Sequence, residues 1–461
     1  MSLLAQELID LIIDTIAADS ITNDLWPGAH LLQCALASRA FRPRAQRHIF
    51  SHIQIRGASP HARRDKVERL LAIIQDDPPI ASYIDELSLE SLEVSAACPI
   101  PIDEHAFIGV MQRISPLRTL RLAVASVRDL ENPGPSLHNF FMPFIAPFIT
   151  SLDLRHLGRV PIEAVTNCKR LTSLGLSLVD FAECDYPATA ACSGLKLQHL
   201  THRKSRNALD TLLRLQPYVD LSQLKSFTAY TDDNSVSQIQ SVIDLTADSL
   251  EELHLLSMDD TAWVALYQGT PSLARLSKLH TLHLHIPFCP LSIDVRSSLR
   301  LLLNILASVR SGALRTLTLE AKVGFIYFPV ADDPEVLLQA DWGAVCREIA
   351  RVMATDGQCA RKGPSPSPSP PPSPSTFEFK LTYRHIASCR TPSPAQEAEE
   401  QQTLQRRCQG VVARLHERNF SALRAVPGIR LTSPGSARLV RDVDDDPGEG
   451  EGEGMGFFVG G

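Results

Sequence analysis

Three histidines are the residues of this sequence whose spacing best fits a metal-binding or pH-responsive site. His254 lies between two leucines, and His283 lies between two leucines of a similar segment further along, with His285 two residues later. If the two segments are neighbouring strands, His254 and His283 stand about 5 Å apart on one face. Three such imidazoles can bind a metal ion or respond to pH. Because no cysteine or carboxylate joins them at ligand spacing, we favour the alternative, a solvated surface that contacts a protein partner, and predict no metal site.

Motifs for catalysis are missing from the sequence. It contains no GxxxxGKS/T phosphate loop, no GxGxxG segment after a predicted strand and no GxSxG nucleophile elbow. The ten cysteines run from Cys34 to Cys408 without a CxxC pair, which argues against a zinc-bound ring domain and predicts thiols in a reducing compartment. We therefore predict a non-catalytic protein without cofactors.

The composition is typical of a folded protein with several domains or repeats. The 461 residues are 44% hydrophobic and 21% charged, and they are too many for one ordinary core. The net charge of -7 argues against nucleic-acid binding, which needs a basic domain. The start of the chain has no basic residue, and no apolar run approaches the ~20 residues of a membrane span. We expect a cytoplasmic or nuclear protein that binds neither nucleic acid nor membrane.

A repeated leucine pattern indicates which elements position the histidines. Seven copies of the spacing L-x-x-L-x-L occur, with isoleucine at the first position of two copies. The last two leucines of a copy lie two residues apart, which is typical of a strand with one buried face. Helical segments lie between copies, for example at 235–245 and 294–309. The copies are Ile84/Leu87/Leu89, Leu117/Leu120/Leu122, Ile149/Leu152/Leu154, Leu171/Leu174/Leu176, Leu250/Leu253/Leu255, Leu279/Leu282/Leu284 and Leu314/Leu317/Leu319.

These copies predict an α/β fold in which a short N-terminal helical module precedes a curved leucine-rich-repeat solenoid. One strand and one helix cannot bury their own apolar faces, so the units must stack, with parallel strands concave and helices convex. Leucine-rich helices also produce L-x-x-L by chance, but seven copies are hard to explain that way. Leu224/Phe227/Ala229 is a degenerate copy, and the phase of the pattern at 195–200 is ambiguous.

Domain boundaries follow from these patterns. We predict a short helical module at 1–55, a linker helix at 56–83, the solenoid at 84–430 and a disordered acidic, glycine-rich tail at 431–461. Inside the solenoid, 363–375 is predicted to be a disordered Pro/Ser insertion. A helix at 334–355 precedes it, a strand with alternating apolar residues at 377–383 follows it, and a helix covers 395–419.

The N-terminal helices resemble an F-box. Residues 4–13, Leu-Ala-Gln-Glu-Leu-Ile-Asp-Leu-Ile-Ile, resemble its opening L-P-x-E-L-x-x-x-I-L, and residues 32–41 resemble its second helix, which we expect Pro43 to end or kink. Ala5 stands in the place of the family's proline, and Phe41 near that of its tryptophan. An F-box before irregular leucine-rich repeats is similar to the F-box proteins of basidiomycete fungi. The alternative is a plain helical cap, which a repeat array needs in any case.

The resemblance implies a substrate-recognition subunit of an SCF-type, cullin-based ubiquitin ligase. The F-box module would dock on a small Skp-type adaptor of the cullin complex, and the repeats would bind a target protein. The alternatives are a leucine-rich-repeat scaffold that engages no cullin and an enzyme built on a repeat platform. The residues expected to contact the adaptor, or to form the module's own core, are Leu4, Leu8, Leu11, Ile12, Leu32, Leu36 and Phe41.

Strand geometry predicts the target-binding surface. The two leucines of each copy point inward, so the residues beside them point to the opposite, concave face. That face is polar and varied, as expected for a transient and partly electrostatic interaction. Alternatively these positions are only solvated, and the target binds a loop or the tail. The residues predicted to contact the target are Asp153, Arg155, Tyr230, His254, His283 and His285.

Overall fold

The computed structural model of the chain has an α/β fold in which parallel strands alternate with helices. No helix in the part of the chain that it describes is long and apolar enough to cross a membrane. The described residues are 5–22, 28–57, 60–91, 105–114, 117–129, 145–182, 194–216, 218–231, 236–257, 270–288, 295–310, 314–325, 337–338, 340–354, 375–385, 394–426, 429–431 and 438–440.

The first of two compact units comprises Met1–Leu197 and Pro217–Val219. Its strands β1 to β5 pair in chain order, and all four pairs are parallel. A 3-10 helix at Pro78–Tyr83 leads into the second strand. The other elements are α1 (Gln6–Thr22), α2 (Gly28–Ala37), α3 (Arg42–Ser51), β1 (His52–Gly57), α4 (Pro60–Asp76), β2 (Glu86–Ser91), α5 (His105–Arg113), β3 (Thr119–Asp129), β4 (Ser151–Gly158), α6 (Glu163–Thr166), β5 (Ser173–Ser177) and β6 (Leu195–Lys196).

The second unit comprises Gln198–Gln216 and Asp220–Gly461. Its strands β7 and β9 to β13 also pair in parallel and in chain order, and β13 pairs with both β14 and β15. The elements from this point of the chain are β7 (His199–Arg203), α7 (Arg206–Arg214), β8 (Val219–Asp220), β9 (Ser226–Thr231), α8 (Val236–Leu245), β10 (Glu252–Ser257), β11 (Thr281–Phe288), α9 (Val295–Ser308), β12 (Thr316–Phe325), α10 (Trp342–Met353), β13 (Ser375–His385), α11 (Pro394–Arg418), α12 (Ser421–Arg424), β14 (Ile429–Leu431) and β15 (Arg438–Val440).

The leucine pattern fixes the strand register in both units, which confirms the predicted repeats. In the first unit, Leu87, Leu120, Leu152 and Leu174 stand in one row of paired positions. In the second unit, an equivalent row contains Phe227, Leu253, Leu282 and Leu317. All of these side chains are buried, because each alternate residue of a strand points to the same face. All seven predicted copies coincide with strands, and so does the degenerate copy at Phe227.

Two features of the strands differ from the leucine pattern. Strand β1 pairs in register with β2, so the sheet begins at His52 and not at the predicted start, residue 84. The ambiguous copy is resolved because Leu200 pairs with Phe227 and His202 with Ala229. A buried histidine therefore occupies the last leucine position of that copy, which is why leucines alone could not set its phase.

Three predicted boundaries also change. Pro43 does not end the second helix but lies in the first turn of α3, where a missing backbone N–H costs nothing. Ser375, the last residue of the predicted Pro/Ser insertion, is buried and begins β13, while 363–374 lie outside the described residues. In the predicted tail, Arg438–Val440 pairs with β13, and 441–461 lie outside the described residues.

An aromatic cluster forms the core at the C-terminal end of the second unit. The Trp342 ring meets those of Phe379 and Phe420 edge-on at centroid distances of 5.6 and 5.5 Å. Its indole N–H donates a 2.7 Å hydrogen bond to the Leu337 carbonyl oxygen, so the buried polar atom has a partner. His416 of α11 is buried against the same cluster, with its ring 5.6 Å from that of Phe420.

Candidate protein-binding surfaces

The N-terminal helices have a small core of their own. Ile13 and Ala17 of α1, Leu31 of α2 and Ala45 of α3 form one buried cluster. Phe41, which we predicted as an adaptor contact or a core residue, is partly buried and packs against this cluster. It therefore belongs to the interior of the helical module.

The other predicted adaptor contacts are large aliphatic side chains that are exposed on α1 and α2, and we call this set the helical face. It consists of Leu8, Leu11 and Ile12 of α1 and Leu32 and Leu36 of α2; Leu4 lies outside the described residues. Their exposed fractions are 49, 62, 46, 47 and 79%, respectively. Only two other large hydrophobic side chains in the described part of the chain are exposed, Ile73 and Phe148. Such a concentration of exposed apolar surface is typical of a site that another protein covers.

Helix α1 contributes to both the buried cluster and the helical face because it is apolar on two sides. Leu8, Leu11 and Ile12 have the i, i+3, i+4 spacing of one helix face, and all three are exposed. Ile9 and Ile13, which are buried, are shifted from these positions by one residue and therefore lie on a different side of the helix. The buried and the exposed residues of α1 could not be told apart from the sequence, because both groups consist of large aliphatic residues.

An ion-pair cluster attaches α3 to α1. Arg44 donates 2.7 Å hydrogen bonds from Nε and Nη2 to the two carboxylate oxygens of Asp14, and His48 Nε2 lies 2.7 Å from Asp14 Oδ1. The hydrogen bonds of Arg44 and then of His48 hold the pKa of Asp14 well below its usual value. The pair raises the pKa of Arg44 in return. The charged form of Asp14 therefore stabilises the arrangement of helices that carries the helical face.

In the first unit, the predicted target-binding residues are bound to one another. Asp153 Oδ2 lies 3.1 Å from Arg121 Nε and 3.0 Å from Arg155 Nη2. Arg121 also lies 3.5 Å from Glu86, so alternating charges run across β2, β3 and β4. Gly175 makes room for the carboxylate, because a Cβ at this position would stand only 2.7 Å from Asp153 Oδ1. The charges of Asp153 and Arg155 are thus largely satisfied within the sheet face.

In the second unit, the structure brings the predicted histidines together. His254 and His283 occupy paired positions, and their ring centroids lie 5.5 Å apart, close to the distance predicted from strand spacing. His285 is paired in register with Glu320, whose carboxylate lies 3.2 Å from His283 Nε2. Burial, followed by the neighbouring His283, lowers the pKa of His254, although Glu252 acts in the opposite direction. At neutral pH the His254 imidazole is therefore uncharged.

The predicted Tyr230 lies on β9, which pairs with the strand of His254, β10. It pairs in register with Leu256, and Arg203 lies over its ring at 5.5 Å from the centroid. Neither Leu256 nor Arg203 was predicted from the sequence. Leu256 is two residues beyond His254, so strand alternation alone could have found it. Arg203 could not be placed while the phase of its copy was ambiguous.

The described residues offer little for metal or thiol chemistry. Among them, no group of three or more His, Cys, Asp or Glu side chains is arranged to hold a metal ion. Three cysteines in the described segments are buried, and burial raises the pKa of Cys168 and Cys408 to about 12 and that of Cys346 to about 11. Thiols with such pKa values hardly ionise at neutral pH, which disfavours them as nucleophiles.

In comparisons with known proteins, no family model matches this sequence, and no curated protein shows significant similarity to it.

Proposed function

We propose that this chain is the substrate-recognition subunit of an SCF-type, cullin-based ubiquitin ligase. The N-terminal helical module docks on a Skp-type adaptor through the helical face, and the polar face of the repeats binds the target protein. The observation that carries the proposal is the exposure of five large aliphatic side chains on α1 and α2, beside a separate buried core. An apolar surface of this kind is costly to leave in water and gains free energy when a partner covers it.

The size of the helical face suits a specific contact. Full burial of a leucine or isoleucine side chain contributes about 1.5–3 kcal/mol, and these side chains are already about half buried on average. Each would then add about 1 kcal/mol on docking, so the five together add about 5 kcal/mol before the entropy of association is subtracted. That is enough to anchor an interface in which other contacts also take part.

The chain itself performs no chemistry in this proposal. Adaptor and cullin connect it to the enzyme that carries activated ubiquitin, and the repeats hold the target nearby. Acceleration comes from proximity, because two reactants held in one assembly no longer depend on diffusional encounter. The buried cysteines of the described segments, with their raised pKa values, agree with this division of labour.

A leucine-rich-repeat scaffold that engages no cullin remains the second candidate. In that case the helical face would be covered by a different protein, or by a second copy of the chain. The ion pairs among Glu86, Arg121 and Asp153 fit either candidate, because they stabilise the sheet whatever the helices bind. The candidates differ only in whether adaptor and cullin accompany the chain.

Co-purification with the adaptor tests the proposal. We expect the wild-type chain to retain a Skp-type adaptor and a cullin, and the variant with Leu8→Asp and Ile12→Asp to lose both, because each substitution places a charge in an apolar contact. Ile73→Asp is the matched control, since Ile73 of α4 is also an exposed aliphatic residue, at 39%. Melting temperatures show whether each variant still folds. Retention of the adaptor by a folded double variant, or its absence from wild type, would contradict the proposal.

A further inference from the structure

Seven acidic residues between Asp442 and Glu453 account for the net charge of the whole chain. We call 442–453 the acidic segment; it contains no lysine or arginine, and it lies outside the described residues. The remaining 45 of the 52 acidic residues equal the 45 Lys and Arg residues in number. Outside this segment the chain is neutral overall, so a surface with an excess of positive charge is complementary to it.

Such an excess of positive charge lies on the helices α11 and α12. Residues 401–426 contain five arginines and one acidic residue, Glu417. Arg407, Arg414 and Arg418 follow one another at spacings of seven and four residues, which places them on one side of α11. We call the five arginines the arginine face: Arg406, Arg407, Arg414, Arg418 and Arg424.

The arginine face is exposed and is at most partly neutralised by the rest of the chain. Arg414 is partly buried, and the other four arginines are exposed. Within the described segments, Arg406, Arg418 and Arg424 form no ion pair. After burial, Arg424 is the second cause of the lowered pKa of His416, so α12 holds this arginine close to the last turns of α11. The face can therefore accept carboxylates that do not belong to the described residues.

The path of the chain brings the acidic segment to this face. Strand β15 ends at Val440, two residues before the segment, and it lies next to α11. The 12 residues of the segment can span up to ~40 Å when extended. Along the axis of α11, Arg406 and Arg418 are only about 18 Å apart, because each helical residue rises 1.5 Å. The acidic segment is thus long enough to reach every arginine of the face.

We propose that the acidic segment folds back on its own chain and binds the arginine face through carboxylate–guanidinium pairs. Each exposed pair is weak, but the covalent connection keeps the effective concentration of the segment at the face on the order of millimolar, and several pairs form together. An acidic stretch of another protein must then displace the segment before it can bind there. This contact does not depend on the adaptor, because the arginine face and the acidic segment both belong to the second unit.

Carbodiimide coupling of the full-length chain, read out by mass spectrometry, tests the contact. The reagent joins a carboxylate to a lysine amine only when the two groups touch, so Arg418→Lys keeps the charge of the face and adds a reactive amine. At about 50 mM salt, we expect the introduced lysine to couple to the acidic segment at least about fivefold more than the lysine introduced by the matched control, Arg47→Lys. Arg47 is an exposed residue of α3 in the first unit.

Charge variants distinguish binding from chance encounters of a tethered segment. Adding Arg406→Gln and Arg424→Gln to Arg418→Lys should lower the coupling about threefold or more, and so should about 1 M salt, which screens exposed charges. The matched pair, Arg42→Gln with Arg69→Gln, removes the same charge from exposed positions of the first unit and should leave the coupling within about twofold. Excess poly-L-glutamate should compete with the segment and lower the coupling as well.

Several outcomes would overturn the proposal. One is coupling that is no greater at the lysine introduced by Arg418→Lys than at the control position, and another is coupling that salt, poly-L-glutamate or loss of the arginines does not reduce. Equal reduction by both arginine pairs would indicate only the overall charge of the chain. Coupling mainly to native lysines, such as Lys380 on β13, would place the acidic segment elsewhere. Melting temperatures show whether the variants fold. Because no adaptor is present in this assay, the adaptor contact and the contact of the acidic segment can each fail alone.

Discussion

Replacing Asp14 by asparagine should loosen α3 from α1 and thereby test how the helical face is supported. The Asp14 carboxylate holds Arg44 in a two-pronged ion pair and also contacts His48. The asparagine side chain would keep the shape of the carboxylate but replace one accepting oxygen by an NH₂ group and remove the charge. The remaining arginine would then face a donor, which is worse than simply losing a contact.

The expected loss of stability in Asp14→Asn is modest because water reaches the ion pair between Asp14 and Arg44. The side chains of Asp14 and Arg44 are 38 and 31% exposed, so the lowered pKa of Asp14 cannot be converted directly into stability. Hydrogen bonds to charged groups contribute about 1.5–3 kcal/mol when shielded, and exposed ion pairs about 0.2–1 kcal/mol. We take about 1 kcal/mol as the local loss, which corresponds to roughly fivefold faster opening of the helices.

Hydrogen exchange of the full-length chain, followed by mass spectrometry, measures this directly. Peptides from α1 and α3 should exchange about fivefold faster in Asp14→Asn, while peptides from α10 in the second unit stay unchanged. Arg44→Gln provides the second corner of a double-mutant cycle. If the two residues act as a pair, the double variant should exchange little faster than either single variant. Additive effects, or unchanged exchange in Asp14→Asn, would refute the reasoning.

The sign of the pH dependence follows from the lowered pKa of Asp14. Unfolded Asp14 binds a proton near pH 3.9, whereas the folded residue does so only at lower pH. The stabilisation is therefore fully present above about pH 5 and is lost as the pH falls further. The difference in the hydrogen-exchange rate of α1 and α3 between wild type and Asp14→Asn should be constant from about pH 6 to 8 and shrink below about pH 4.

Two further predictions concern the first unit's sheet and the C-terminal core. Burial and nearby Arg424 lower the pKa of His416, so as the pH falls the imidazole takes up a proton in the unfolded state before it does so in the folded state. Protection of α11 against hydrogen exchange should therefore fall as the pH drops below about 6.5. His416→Leu should abolish that pH dependence. Identical pH profiles of variant and wild type would contradict this. Gly175→Ala should destabilise the first unit by about 1–2 kcal/mol, because its Cβ displaces the Asp153 carboxylate, and Asp153→Ala should relieve most of that cost in a denaturation cycle. Equal destabilisation in both backgrounds would show that the clash lies elsewhere.

The strands could be predicted from the sequence because two leucines at alternate positions specify both the strand and its buried face. Aligning the leucine copies with one another could also have paired Arg121 with Asp153, which hold equivalent positions in consecutive copies. Two other features could not be predicted from the leucine copies. His202 breaks the pattern with a polar residue, and α1 is apolar on two sides, so only packing shows that Ile13 is core and Leu8 is surface.

A repeat fold without a matching family model is physically reasonable. Each copy needs only a few apolar positions to stack on its neighbours, so the remaining residues can change without loss of the fold. The residues of the proposed adaptor contact, on the helical face, are exposed positions of this kind. Since the helical face belongs to the first unit, Leu8→Asp with Ile12→Asp should leave the hydrogen exchange of α10 in the second unit unchanged. Faster exchange of α10 in that variant would mean that the substitutions unfold more than the helical module.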